Sequence, residues 1–181
     1  VAMGLSSVMT SAYAAPSTED QRAHEIVVAM DHLDANAPIF AQVLEKGTST
    51  LRVQALVALG RIGAVSSASK IVPFLSSDRP QVRKAAGFAL GLLKSDVARL
   101  GLEQQFKVEK DLRVLKALAA SLGKVGDQSS AALLFAALQD IQLLEPAVSG
   151  IAQGIGFYLQ NSSATADFPD AVMNRLVRLA A

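Results

Sequence analysis

Four glycines, Gly60, Gly91, Gly123 and Gly154, recur at almost equal spacing along the chain, and the segments that end on them align. Leu51-Arg52-Val53-Gln54-Ala55-Leu56-Val57-Ala58-Leu59-Gly60 lies over Val82-Arg83-Lys84-Ala85-Ala86-Gly87-Phe88-Ala89-Leu90-Gly91. It also lies over Val114-Leu115-Lys116-Ala117-Leu118-Ala119-Ala120-Ser121-Leu122-Gly123. A fourth, eroded copy runs from Glu145 to Leu159 and keeps Ala152-Gln153-Gly154-Ile155-Gly156. The period, about 31 residues, is the length of one supersecondary unit, and a unit that cannot bury its apolar face alone must stack on its neighbours.

Within each copy apolar residues return at i, i+3, i+4 and i+7, the period of an amphipathic helix rather than a strand. Ala and Gly at fixed helical positions remove the side chains that would hold neighbouring axes apart, so these segments are expected to be helix crossings. Each is followed by a polar break (63–67, 94–96, 126–130) and a second apolar segment: Ser69 to Leu75, Val97 to Phe106, Ala131 to Leu138. At the joint Leu75-Ser76-Ser77-Asp78-Arg79-Pro80-Gln81-Val82-Arg83, Asp78 is the expected N-cap and Pro80 suits the first turn, where its missing N–H costs nothing. The pattern predicts an all-α fold, an α-solenoid of about four to five helix pairs.

The run Leu75-x-x-Asp78-x-Pro80-x-Val82-Arg83-x-x-Ala86-x-x-Ala89-Leu90-Gly91 resembles the HEAT repeat, in particular the short HEAT-like repeats of the phycobilisome lyase type. The resemblance covers residues 48–159 and implies a right-handed, armadillo-like superhelix whose concave face is lined by the second helix of each pair. It also implies that Arg83 and Asp78 form the repeat's loop-tying ion pair. The third copy departs from the family in carrying Leu115 where Arg is usual, and the fourth in carrying Gln153 where Leu is expected.

The flanks are read separately. Residues 1–14 carry no charge and end in Ala12-Tyr13-Ala14, the small-x-small pattern that a signal peptidase accepts, so they are expected to be the remnant of a secretory signal. Residues 15–47 are expected to form an N-terminal capping helix pair, Asp20 to Leu33 and Pro38 to Glu45. A polar loop and a C-terminal capping helix, Asp170 to Leu179, are expected over residues 160–181. No segment approaches the roughly 20 apolar residues of a membrane span, and a periplasmic or secreted protein is expected.

Chemistry is narrowed by what the chain lacks. With 181 residues, 51% of them apolar, it has ample material for a core, and with no cysteine it has no disulfide framework, thiolate nucleophile or Cys-ligated zinc. His24 and His32, eight apart on one expected helix, cannot chelate one ion together. The glycines recur at the repeat period rather than clustering in a phosphate-cradling loop. No cofactor, metal site or catalytic residue is predicted, and the chain is not expected to be an enzyme.

Charge is uneven, with a balance of −4 over residues 15–48, +8 over 49–124 and −3 from 125 onward. Such a basic middle would attract an acidic protein segment or another polyanion. The preferred, plainer reading is that Arg52, Arg61, Lys84, Lys94, Arg113, Lys116 and Lys124 solvate the outward faces of the first helices. Nucleic acid is not expected, since no aromatic residues interleave with the cations in sequence. The expected function is a non-catalytic scaffold that binds another protein along the second helices. Exposed residues there, Ser69 and Lys70, then Arg99, Glu103 and Lys107, then Ser130 and Gln139, are the candidate contacts. A bilin lyase or isomerase, or an interaction segment of a larger multidomain protein, are the alternatives.

Overall fold

The computed structural model describes residues 17–139 and 145–161. The expected signal remnant and C-terminal capping helix lie outside the described residues. Within them the elements run α1 (Thr18–Asp31), α2 (Pro38–Lys46), α3 (Ser49–Ile62), α4 (Ala68–Ile71), α5 (Pro80–Leu93), α6 (Asp96–Val108), α7 (Leu112–Val125), α8 (Gln128–Gln139) and α9 (Glu145–Asn161). No strand occurs among the described residues. The odd-numbered helices pack side by side in chain order, each even-numbered helix packs against the first helices beside it, and successive even-numbered helices touch only in places. This is an all-α solenoid of helix pairs, as the repeat period predicts.

The core is a continuous apolar layer between the two rows. Leu56, Leu59, Leu90, Leu118 and Leu122 of the first helices meet Ile71, Leu102, Leu134 and Leu138 of the second, all fully buried. The first row is drawn together by its small residues. A Cβ placed on Gly60 would stand 2.6 Å from Ala89 Cα, and one on Gly91 would stand 2.8 Å from Ser121 Cβ. A Cβ on Gly123 would collide with the backbone of Gly154, and one on Gly154 with the Ala119 carbonyl. The repeat glycines are therefore the crossing points of neighbouring helices.

Two local expectations are corrected. The second element of the second pair, read as one segment from Ser69 to Leu75, is a single α-helical turn, α4, flanked by 3₁₀ turns at Val65–Ser67 and Val72–Ser76. Pro73 has no N–H to bond back to Ser69 and its ring crowds that carbonyl, so the α-helix stops just before it. Asp78 is not the N-cap of α5. The cap is Arg79, in extended backbone with no side-chain cap bond, while Pro80 opens the helix as expected. Side-chain caps are found at Ser17, Thr48, Ser95 and Asp111, where each side chain accepts a backbone N–H of the first turn.

Helix ends show two mismatches of residue and conformation, Leu33 after α1 with φ of 54° and Lys94 after α5. Gly63 ends α3 with φ of 76°, the left-handed C-cap that glycine adopts without strain, whereas α5 ends on Lys94 with φ of 43°. An L-residue held there costs roughly 1–2 kcal/mol. Lys94→Gly is expected to stabilise the protein by about 0.5–1 kcal/mol after glycine's greater unfolded-state entropy is offset, raising the thermal midpoint by a few degrees. The glycine crossings predict a graded series read in urea melts. Gly60→Ala and Gly123→Ala are expected to lose about 3 kcal/mol or more, because the added methyl meets backbone that cannot move aside. Gly156→Ala, with open space around its Cβ, is expected to be neutral or to gain up to about 1 kcal/mol from helix propensity.

Candidate interaction surface

Lys70 stands on α4 at the rim of an apolar groove of about 390 Å³ that opens toward α2. Phe40, Ala41, Leu44 and Phe74 form its walls, and Lys70 Nζ donates to Asn36 Oδ1 at 3.1 Å. A second groove, of about 410 Å³, opens between the end of α6 and α8, with Phe106, Leu133, Ala137 and Ile151 on its walls and Lys107 at its rim. Neither α2 and α4 nor α6 and α8 are drawn together by a glycine as the first row is, whereas Gly101 of α6 packs closely on Val72 and Leu75. Gln139 is exposed at the end of α8. Ser69 is exposed beside Lys70, its hydroxyl donating back to the Ser66 carbonyl at 3.3 Å.

Arg99, Glu103 and Ser130 have a different surrounding from the exposed one expected of them. Arg99 Nη1 donates to Glu103 Oε1 at 3.1 Å, and its Nε lies 3.6 Å from Asp96 and 3.5 Å from Asp127 at the start of the next second helix. The Glu103 carboxylate also accepts from the Ser129 and Ser130 hydroxyls, while Asp127 accepts the Ser129 and Ser130 amides and so opens α8. Ser130 is buried, and the Arg99 and Glu103 side chains are mostly covered. These residues tie α6 to α8 and offer little to a partner. Their partners sit on the following repeat, which a single amphipathic segment cannot reveal.

The ion pair implied for Arg83 also has a different partner. Asp78 is exposed and lies 3.6 Å from Arg79. Arg83 reaches forward to the loop before α7, where its Nε and Nη2 each donate to Glu109 at 2.8 Å, and its Nη1 donates to the Ser77 carbonyl. Glu109 additionally accepts Gln105 Nε2 and the amides of Lys110 and Asp111. Burial pushes its carboxyl up, but the Arg83 guanidinium and these donors together outweigh it and hold the pKa down to about 2. Nothing in the sequence around Glu109 sets it apart. The available signal is a carboxylate a little less than one repeat after Arg83, in the loop that stacking brings alongside α5. In the preceding repeat Arg52 donates to the Glu45 carbonyl, but its buried Nε has no partner.

His24 and His32 are both exposed, and His24 borders an apolar groove of about 430 Å³ between α1 and α3. Among the described residues no three His, Asp or Glu side chains gather as they would around a metal ion, and no helix is long and apolar enough to cross a membrane.

The depressed Glu109 pKa predicts the pH dependence of the joint between repeats. A carboxylate lowered on folding stabilises above its unfolded pKa, near 4.5, and that stability is lost as pH falls toward 2. Glu109→Gln is expected to cost on the order of 3 kcal/mol at pH 7 in urea melts, with the gap to the parent protein closing as the pH approaches 2.

Residues 68–143, from α4 through α8, match the family model described as HEAT repeats. No curated protein matches the chain. Helix pairing, glycine crossings and this match agree, and residues 68–143 are similar to HEAT repeats.

Proposed function

We propose that this chain is a non-catalytic scaffold that holds another protein along its row of second helices, the concave side in HEAT-type stacks, in the periplasm or outside the cell. HEAT repeats typically serve protein interaction, and a stack of helices offers a long surface with side chains free to vary while the core stays constant. The observation that carries the reading is the pair of apolar grooves, each with a lysine at its rim, Lys70 at one and Lys107 at the other. Apolar side chains of a partner fill such grooves and its carboxylates meet the rim, which favours an acidic segment. Gln139 extends the same surface at the end of α8. Export is supported by the Ala12-Tyr13-Ala14 pattern.

Affinity capture from an envelope fraction, with the full chain as bait and mass spectrometry as readout, identifies the partner. Lys70→Glu/Lys107→Glu is then expected to weaken that complex by more than about tenfold, mainly in the association rate and its salt dependence, while melting as the parent does. Arg99 and Glu103 are left intact, because changing either opens the α6–α8 joint. Unchanged affinity in the double variant would remove the grooves as the binding surface.

A further inference from the structure

The outward stripe of each central first helix repeats every four residues, and the repeat brings the three stripes into register. Lys84 and Lys116 share one row across α5 and α7, with Val53 beside them on α3. Four residues on, about 6 Å along the axes, comes an apolar row centred on Phe88. Four further on, Arg61, Leu92 and Lys124 close the array. Neither Asp nor Glu occurs anywhere in α3, α5 or α7.

Solvation alone does not account for this. A helix face kept merely soluble interleaves both signs, since i,i+4 pairs of opposite charge stabilise and like charges repel. Here Arg61, Lys84 and Lys116 have no ion pair or hydrogen bond to any described residue. The Lys124 ammonium stands over Phe157 at 4.9 Å and Phe88 at 6.0 Å from the ring centroids, so the aromatic part of the face is itself cationic. Asp111, a carboxylate at the margin beside Lys84, is taken up by Arg113 and the first amides of α7.

The approaches of Gly60 to Ala89 and of Gly91 to Ser121 bring α3, α5 and α7 close together. Only a small pocket of about 110 Å³ is found between the starts of α5 and α7, beside Lys84, and the groove between α1 and α3 lies at the margin of the face. A surface with an apolar middle and cationic borders is complementary to a plane of negative charge over an apolar interior. We infer that the outer face of α5 and α7, with Arg61 at its margin, docks on a bilayer surface rich in anionic phospholipid, its lysines at the headgroups and Phe88 and Leu92 directed inward. The acidic helix α1 lies at the end of the row, which centres the contact on α5 and α7. This surface is the opposite row from the proposed protein-binding grooves, and the two readings stand or fall separately.

The chain contains no tryptophan, so Phe88→Trp provides a single emitter on this face. With the full chain and phosphatidylcholine vesicles containing phosphatidylglycerol, co-sedimentation and a blue shift of the introduced indole's emission are expected, and neither with phosphatidylcholine alone. Lys84→Glu/Lys116→Glu, in the otherwise unaltered protein, is expected to lower partitioning by about a hundredfold, since each cation near such a surface contributes roughly fivefold and reversal also adds repulsion. Gln104→Trp, on the exposed side of α6, is expected to show no shift. Absence of sedimentation with the anionic vesicles would overturn the inference, as would unaltered partitioning of the charge variant or a shift at position 104 instead of 88. Binding of the chain to soluble polyglutamate but not to the vesicles would overturn it in favour of an acidic protein.

Discussion

Ala89 stands where the methyl group of an alanine at position 60 would need to be, and the rest of the solenoid depends on that kind of contact. Close approach through glycine lets α3, α5, α7 and α9 each lie against the next with little side chain between them, so this part of the first row forms one closely packed wall. Leucines at fixed offsets from each glycine then fall into a continuous inner layer. Among the second helices, Gly101 of α6 packs closely on the side chains of Val72 and Leu75, but no glycine joins α2 to α4 or α6 to α8. The second helices are positioned by the first helices beneath them and by polar links at the joints, which is why grooves open on their side of the stack.

Those polar links set the geometry from one repeat to the next. Arg83 with Glu109 and Arg99 with Asp127 reach the next repeat, as does Glu103, paired with Arg99 within α6, through the Ser129 and Ser130 hydroxyls, and the Glu109 and Asp127 carboxylates also accept backbone amides. A carboxylate satisfied by several donors fixes a loop more firmly than a lone ion pair, because its position is over-determined. Arg52 lacks such a carboxylate, and its buried Nε is left without a bond. The two joints on the α5–α8 side are therefore more fully clamped than the one at α3. The consequence for function is a division of the surface: clamped residues cover the joints, while the grooves beside Lys70 and Lys107 and the cationic outer face are left for contact.

Much of this is legible in the chain. Period, helical character, helix pairing and the packing role of the glycines follow from spacing, because a helix crossing can be recognised by what must be absent from it. The α4 break is signalled by Pro73, whose cue runs against the apolar pattern around it. The reading of Arg99 and Glu103 as exposed contacts fails for a different reason. Their positions on α6 are polar and outward by helical phase, but the loop that covers them comes from the next repeat. Glu109 has no local signature, because its value lies wholly in a guanidinium on the preceding helix pair.

Local spacing is enough to establish that helices form, where they begin and end to within a turn, and which face of each is buried, since all three depend on neighbours within one or two turns. Packing between repeats settles the remainder: which carboxylate each arginine meets, which outward side chains are covered, and how Lys84, Phe88, Lys116 and Lys124 come to share one face. Those outcomes depend on the distance between helices, and that distance is set by contacts between segments a full repeat apart.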